Sequence, residues 1–367
     1  MQEKGIITTK QYTWLLFSLI TSFSTLQMTS MLISHAGRDA WLSVICAWFI
    51  DVVLAIVYAY MGNRFPGENM VQYSISITGK YLGRLIGALF SLFFLVATSV
   101  LIGSLCTLLH TTFFPETPLN VMVAACFILI AIGAKTGLKV LARVTKFLAP
   151  VYLLSFIIIF ISVAPLVKFD SLKPILRQGP FPFLSGSPFI LSFISICIIM
   201  GMYIPYCDKP QNAFKGKFVA VTLGSLILGF QIIAGTCIFG SERAGITRNV
   251  GLQLTKVVSF GGIIEHSEAI FLMVAVAAGV MSAMSLIWAF SLGVSQIAGL
   301  STYKPIVYPS ALLAFIITVT SFENGNDVYY FINYTFPFIA LFVESGLEIF
   351  LFVIALIFRK KGNKKSN

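Results

Sequence analysis

Charge is what this sequence has least of. Asp, Glu, Lys and Arg make up 11% of its 367 residues, where a soluble domain carries about 25%. That shortage excludes a water-solvated globule. Histidine is scarcer still: His35, His110 and His266 stand far apart, so a metal site or a hydrolytic triad has nothing to be assembled from. The six cysteines, Cys46, Cys106, Cys126, Cys197, Cys207 and Cys237, show no metal-binding or redox spacing. The composition therefore predicts neither an enzyme nor a bound cofactor.

What the chain has instead is apolar length, with 57% of its residues hydrophobic. Runs of about eighteen or more apolar residues recur to the end, each able to cross a hydrocarbon layer of about 30 Å as a helix. The first run, 12 to 34, follows Lys4 and Lys10 as a signal peptide would. It is too long for one and lacks a small-x-small cleavage site, so it reads as a retained span.

The expectation is an all-α integral membrane protein of about ten transmembrane helices, near 12 to 34, 40 to 62, 82 to 108, 118 to 134, 144 to 167, 188 to 205, 217 to 240, 267 to 292, 306 to 321 and 333 to 358. Lys4, Lys10, Arg64, Lys80, Arg84, Lys135, Lys139, Arg143, Lys146, Lys209, Lys215, Lys217, Lys304 and the tail cations Arg359, Lys360, Lys361, Lys364 and Lys365 then fall on one side with both termini. Only Arg38, Lys168, Lys173, Arg177, Arg243, Arg248 and Lys256 fall on the other. Cytoplasmic loops are the ones enriched in Lys and Arg, which places both termini in the cytoplasm. The net charge of +11 is thus a topology signal and calls for no nucleic-acid partner.

Two far-side connections are long. The segment 241 to 266 contains Gly261-Gly262 and has room for short helices across the mouth. The Pro- and Phe-rich segment 168 to 187 reads as a linker between two halves of five spans, about 12 to 167 and 188 to 358, followed by a basic tail from 359 to 367. Five spans per half invert the second half, giving a 5+5 inverted-repeat bundle. In such bundles the first helix of each half is broken near the midplane, and the freed backbone groups bind substrate. Helices 1 and 6 have the residues for this. Helix 1 carries Thr21, Ser22, Ser24, Thr25 and Gln27; helix 6 carries Ser195, Cys197, Gly201, Tyr203 and Pro205. The ligand-binding candidates are Ser22, Ser24, Thr25, Gln27, Ser195, Cys197, Gly201 and Tyr203. The competing reading is that small residues here only permit close packing and back-bond to the preceding turn.

Acids inside the spans are few: Asp51 in helix 2, and Glu344 with Glu348 on one face of helix 10. A mid-membrane acid costs roughly 2.5–3.5 kcal/mol on insertion scales and faces protein or a watery cavity. With no Lys or Arg read as mid-span, these three are candidates for an ion or proton path, or else are neutral acids bonded to neighbouring helices. Glu265 and Glu268 read as interfacial residues at a helix N-terminus. Trp14, Trp41, Trp48, Trp288, Tyr329, Tyr330 and Tyr334 read as interfacial belt residues.

Short motifs along the whole chain resemble the B subunit of spore germinant receptors: Ala36-Gly37-Arg38-Asp39-Ala40-Trp41-Leu42-Ser43, Arg64-Phe65-Pro66, Gly79-Lys80-Tyr81-Leu82-Gly83, Thr117-Pro118, Gly137-Leu138 with Leu141-Ala142-Arg143, Leu172-Lys173-Pro174, Phe239-Gly240 and Ile264-Glu265. That family is a branch of the amino acid, polyamine and organocation transporter superfamily. The resemblance implies a LeuT-like bundle in the spore inner membrane that works with receptor A and C subunits. It further implies binding of a small germinant, an amino acid or similar, that triggers ion release and germination. Where the family's first helix shows glycines and then a proline, this chain has Ser22 and Ser24 and no proline near Thr29. The alternative function is a proton-coupled amino acid transporter acting alone.

Overall fold

A computed structural model describes residues 5 to 177, 179 to 247, 249 to 257, 267 to 322 and 325 to 362, leaving out the side chains of 25 to 27 and 267 to 270. The elements in chain order are α1 (Thr9–Ala36), α2 (Ala40–Arg64), α3 (Met70–Thr78), α4 (Lys80–Thr112), α5 (Leu119–Thr136), α6 (Leu138–Val163), α7 (Phe181–Ile194), α8 (Met200–Tyr203), α9 (Ala213–Phe239), α10 (Ser241–Ile246), α11 (Val250–Val257), α12 (Ser267–Ile297), α13 (Val307–Ser321), α14 (Gly325–Tyr330), α15 (Phe336–Leu341) and α16 (Glu348–Ile357). Tight 3₁₀ turns join α7 to α8 and carry the rod on to Tyr206, while wide π-turns join α14, α15 and α16. Among the described residues these make ten long helical rods, one for each span expected from the sequence. Eight stretches of the described residues are long and apolar enough to cross a membrane, and α13 is a shorter apolar helix.

The first and last described residues lie at one end of the bundle, called here the terminal end. The Ile7 N–H donates to the Tyr206 carbonyl at 2.9 Å, and the Gly362 N–H donates to the Arg64 carbonyl at 3.2 Å. At the opposite, far end, α10 and α11 are the short helices foreseen in the connection after span seven. Gly261, Gly262 and Glu265 lie outside the described residues, as does the Glu268 side chain.

Local chemistry sets the helix ends. Thr8 and Gln11 form a reciprocal capping box at the start of α1, and Asn69 and Gln72 do the same for α3. Gly137, at φ 93°, takes the left-handed conformation that lets α5 turn directly into α6. The core is built by α1 packing along α9 and by α12 packing on α4. Gly224 permits the first contact, since a Cβ there would lie 2.6 Å from Ile20.

Three expectations need correction. The span-one interruption is not there: α1 is one α-helix from Thr9 to Ala36. The segment holds no glycine or proline, and its hydroxyls bond back along the same helix rather than opening it: Thr21 to Phe17, Ser22 to Ser18 and Ser24 to Ile20. Span six is disturbed as foreseen, with Ser195–Ile199 wound as a 3₁₀ helix. The connection between the spans expected at 40 to 62 and 82 to 108, given no helix from the sequence, contains α3, whose packing on α4 buries Met70, Val71, Tyr73, Ser74 and Ile77. Trp288 is no belt residue; it is fully buried, its ring 5.8 Å from that of Tyr203.

Candidate functional site

Two buried centres lie inside the bundle. The first is a small central cavity of about 10 Å³ lined by Ser22, Phe23, Met28, Val100, Leu101, Ser104, Phe193 and Ile332. It sits between spans one, three, six and ten and has room for a single water at most. Ser22 and Ser104 bring the hydroxyls. Next to it, four phenylalanines from four spans fill the core: Phe336 has its ring centroid 6.2 Å from Phe23, 6.0 Å from Phe93 and 5.1 Å from Phe193. Such ring pairs add about 0.5–1.5 kcal/mol each beyond the area they bury.

Span ten is irregular on both sides of Phe336. A π-turn spans Phe331–Thr335 and a second spans Phe342–Leu347. Pro337 accounts for the first, because it has no N–H to bond the carbonyl of Asn333 and the helix widens ahead of it. The second contains Glu344, so the aromatic plug and the acid sit on one unevenly wound rod.

The second centre is a charge cluster toward the terminal end. Lys217 Nζ lies 2.9 Å from Asp51 Oδ1, and both side chains are 0% exposed. The same ammonium sits 4.3 Å from the Tyr58 ring centroid, a cation over an aromatic face. Ser195 Oγ donates to Asp51 Oδ1 at 2.8 Å, and the Tyr58 hydroxyl donates to the Glu344 backbone carbonyl at 2.8 Å. One helical turn further along, the Tyr73 hydroxyl donates to Glu348 Oε1 at 2.7 Å. Asp51 Oδ2, both carboxyl oxygens of Glu344 and Glu348 Oε2 are buried with no protein partner among the described residues. One ammonium thus pairs with the Asp51 carboxylate, and two further buried carboxyl groups, Glu344 and Glu348, stand on the span-ten rod nearby.

Lys217 overturns the reading that no cation sits inside the spans. By hydropathy it looks like a flanking charge at the start of span seven. Its register tells otherwise: Ala213, Gly216, Lys217, Ala220, Val221 and Gly224 share the buried face of α9, while Lys215 points outward. A lysine in phase with small residues on a helix is the signal that hydropathy averaging erased.

The other sequence candidates are distributed between and around the two centres. Ser22 lines the cavity, and Ser24 is buried with its hydroxyl on the Ile20 carbonyl. The side chains of Thr25 and Gln27 lie outside the described residues. Ser195 belongs to the charge cluster. The Cys197 thiol faces the Leu16 carbonyl at 3.9 Å. Gly201 packs against Met70 and Tyr73, and Tyr203 stands edge-on to Tyr12 at 6.5 Å. Phe193, Phe336, Ser104 and Tyr58 were absent from the sequence reading, since a phenylalanine or tyrosine in an apolar run carries no linear mark of its partner.

The fold is that of LeuT-type transporters. Superposition on the nucleobase-cation-symport-1 family transporter MHP1, in a closed conformation with bromovinylhydantoin bound, gives a TM-score of 0.70 at 13% identity over 98% of this chain and 80% of that one. MhsT in complex with L-phenylalanine gives 0.69 at 15% identity, covering 95% and 88%. In sequence, the chain is 26% identical over 365 residues to spore germination protein YndE of Bacillus subtilis (strain 168), covering 98% of each. It is 22% identical to spore germination protein KB of the same organism, over 91% of this chain and 90% of that one. The family model described as spore germination protein matches residues 6–328, and with most of the chain accounted for in this way, it belongs to the spore germination protein family.

Proposed function

We propose that this chain is the membrane subunit of a nutrient germinant receptor, binding a small germinant at the central cavity once the Phe336 ring moves out and widens it beyond its single-water size, and passing its occupancy to the Asp51–Lys217–Glu344 cluster. The supporting observation is how close the two centres are along span six. Phe193 forms a cavity wall and Ser195, two residues on, donates to Asp51. Any movement of that wall is felt at the charge pair. Span ten makes the same connection through Phe336 and Glu344.

The germinant is an amino acid in this reading: its charged ends suit the Ser22 and Ser104 hydroxyls together with backbone groups of the 3₁₀ stretch. Binding shifts the receptor only to the extent that the open and closed states bind the ligand unequally. With one buried ammonium for three buried carboxyl groups, a proton or a small cation is the exchangeable charge, and its movement through Asp51, Glu344 and Glu348 is the output that leads to ion release. The receptor A and C subunits receive that output in the spore inner membrane, with both termini of this chain in the cytoplasm.

The test uses spores deleted for this gene and complemented with wild type, Ser22→Leu or Glu344→Gln, across a panel of single amino acids and nucleosides. One nutrient response should vanish with the deletion. Ser22→Leu, which fills the cavity, should raise the germinant concentration needed by tenfold or more. Glu344→Gln should abolish ion release while the labelled germinant still binds. Unchanged responses in the deletion would turn the assignment to a proton-coupled amino acid transporter acting alone, which vesicle uptake under a pH gradient would register.

A further inference from the structure

A cavity much larger than the central one lies elsewhere among the described residues. It is a groove of about 760 Å³ between α2, α6 and α9, walled by Trp41, Trp48, Phe156, Phe160, Leu226 and Phe230 among others. Its rim is continuous with the bilayer-facing surface: Ile45, Ile157 and Leu226 on its lips are 52%, 42% and 64% exposed on helices long and apolar enough to span a membrane. The groove is built rather than an accident of loose packing. The Trp48 indole N–H donates to Thr222 Oγ1 at 3.0 Å, tying α2 to α9, and the Phe160 and Phe230 rings meet at 3.9 Å, tying α6 to α9.

Its dimensions select the occupant. The groove begins at Trp41, in the first turn of α2 at the far end. Along α9 it runs from Thr222 to Ile233, about 16 Å at 1.5 Å per residue. Half of the hydrocarbon core is about 15 Å. Gly229 keeps the channel clear, since a Cβ there would meet nothing within 4 Å.

We propose that this groove holds one acyl chain of a bilayer phospholipid, inserted from the far-end leaflet and kept as a fixed part of the protein. A groove of this size left empty forfeits the dispersion contacts of its walls; one methylene chain restores them against a lining that is almost wholly aliphatic and aromatic.

The test takes the full chain, reconstituted in dioleoylphosphatidylglycerol vesicles, extracted in mild detergent and weighed by native mass spectrometry. Wild type should retain one phospholipid per chain. Gly229→Phe fills the groove from α9 and Ile157→Phe fills it from α6; each should cut the lipid-bound fraction at least fivefold. Leu129→Phe, on the exposed face of α5 away from the groove, should leave it unchanged. A wild type with no retained lipid overturns the proposal, as does equal retention in all four proteins or an equal loss in the α5 variant. Two groove variants from opposite walls keep the test decisive if one of them does not fold.

Discussion

Lys217→Met is expected to lower stability by about 3–5 kcal/mol, the cost of stranding a buried charge whose partner has been removed. The Asp51 carboxylate would keep only the Ser195 hydroxyl as donor, with the Glu344 carboxyl as a neighbour on the other side. Asp51→Asn should do similar harm, leaving the ammonium of Lys217 with no bonded carboxylate, only a neutral amide oxygen and the Tyr58 ring. The double variant Asp51→Asn/Lys217→Met removes both charges together and should recover most of the loss, because an apolar replacement of a buried pair is often neutral. Apparent thermal midpoints of the four proteins in one detergent give the ranking. If the double variant is as unstable as the two losses added, the residues are not coupled and the cluster is two separate features.

Phe336→Ala should act on stability and on response at once. Truncating this ring, which contacts Phe23, Phe93 and Phe193, costs about 3–5 kcal/mol and merges its space with the central cavity. If the ring must leave before a germinant can enter, deleting it raises the fraction of binding-competent protein, and apparent affinity rises in proportion. Spores carrying it should then germinate at a tenfold or more lower germinant concentration, equivalent to about 1.4 kcal/mol, or germinate with no germinant added. A shift to higher concentration would instead make Phe336 a ligand contact and remove it as a plug.

Much of this architecture was legible in the residues because the bilayer imposes a coarse code. A span needs about twenty apolar residues, so α2, expected at 40 to 62, runs Ala40–Arg64, and span nine, expected at 306 to 321, runs Val307–Ser321. That code is silent about what happens inside a helix. Hydroxyl-rich segments open a helix only if the backbone loses a donor or gains freedom; α1 has neither cause, while Pro337 supplies one in span ten. It is also silent about amphipathic pieces at the boundary, and α3 was hidden because half of its surface is polar. The acids Asp51, Glu344 and Glu348 could be found one by one as rare charges in apolar runs. Their assembly could not, since Lys217 lies 166 positions from Asp51 and only the fold brings them within bonding distance.

The pairing of α1 with α9 bears on how the chain is made. The Thr9 N–H donates to Asp208, 199 residues later, and α9 itself begins only after that. At a synthesis rate of about 5–20 residues per second, the first span waits about 10 to 40 s in lipid before its main neighbour emerges. A helix with its midplane carbonyls exposed would be costly to leave there. The unbroken α1, its hydroxyls turned onto its own carbonyls, is therefore a form that survives the wait on the ribosome, and any opening of that helix belongs to the finished protein.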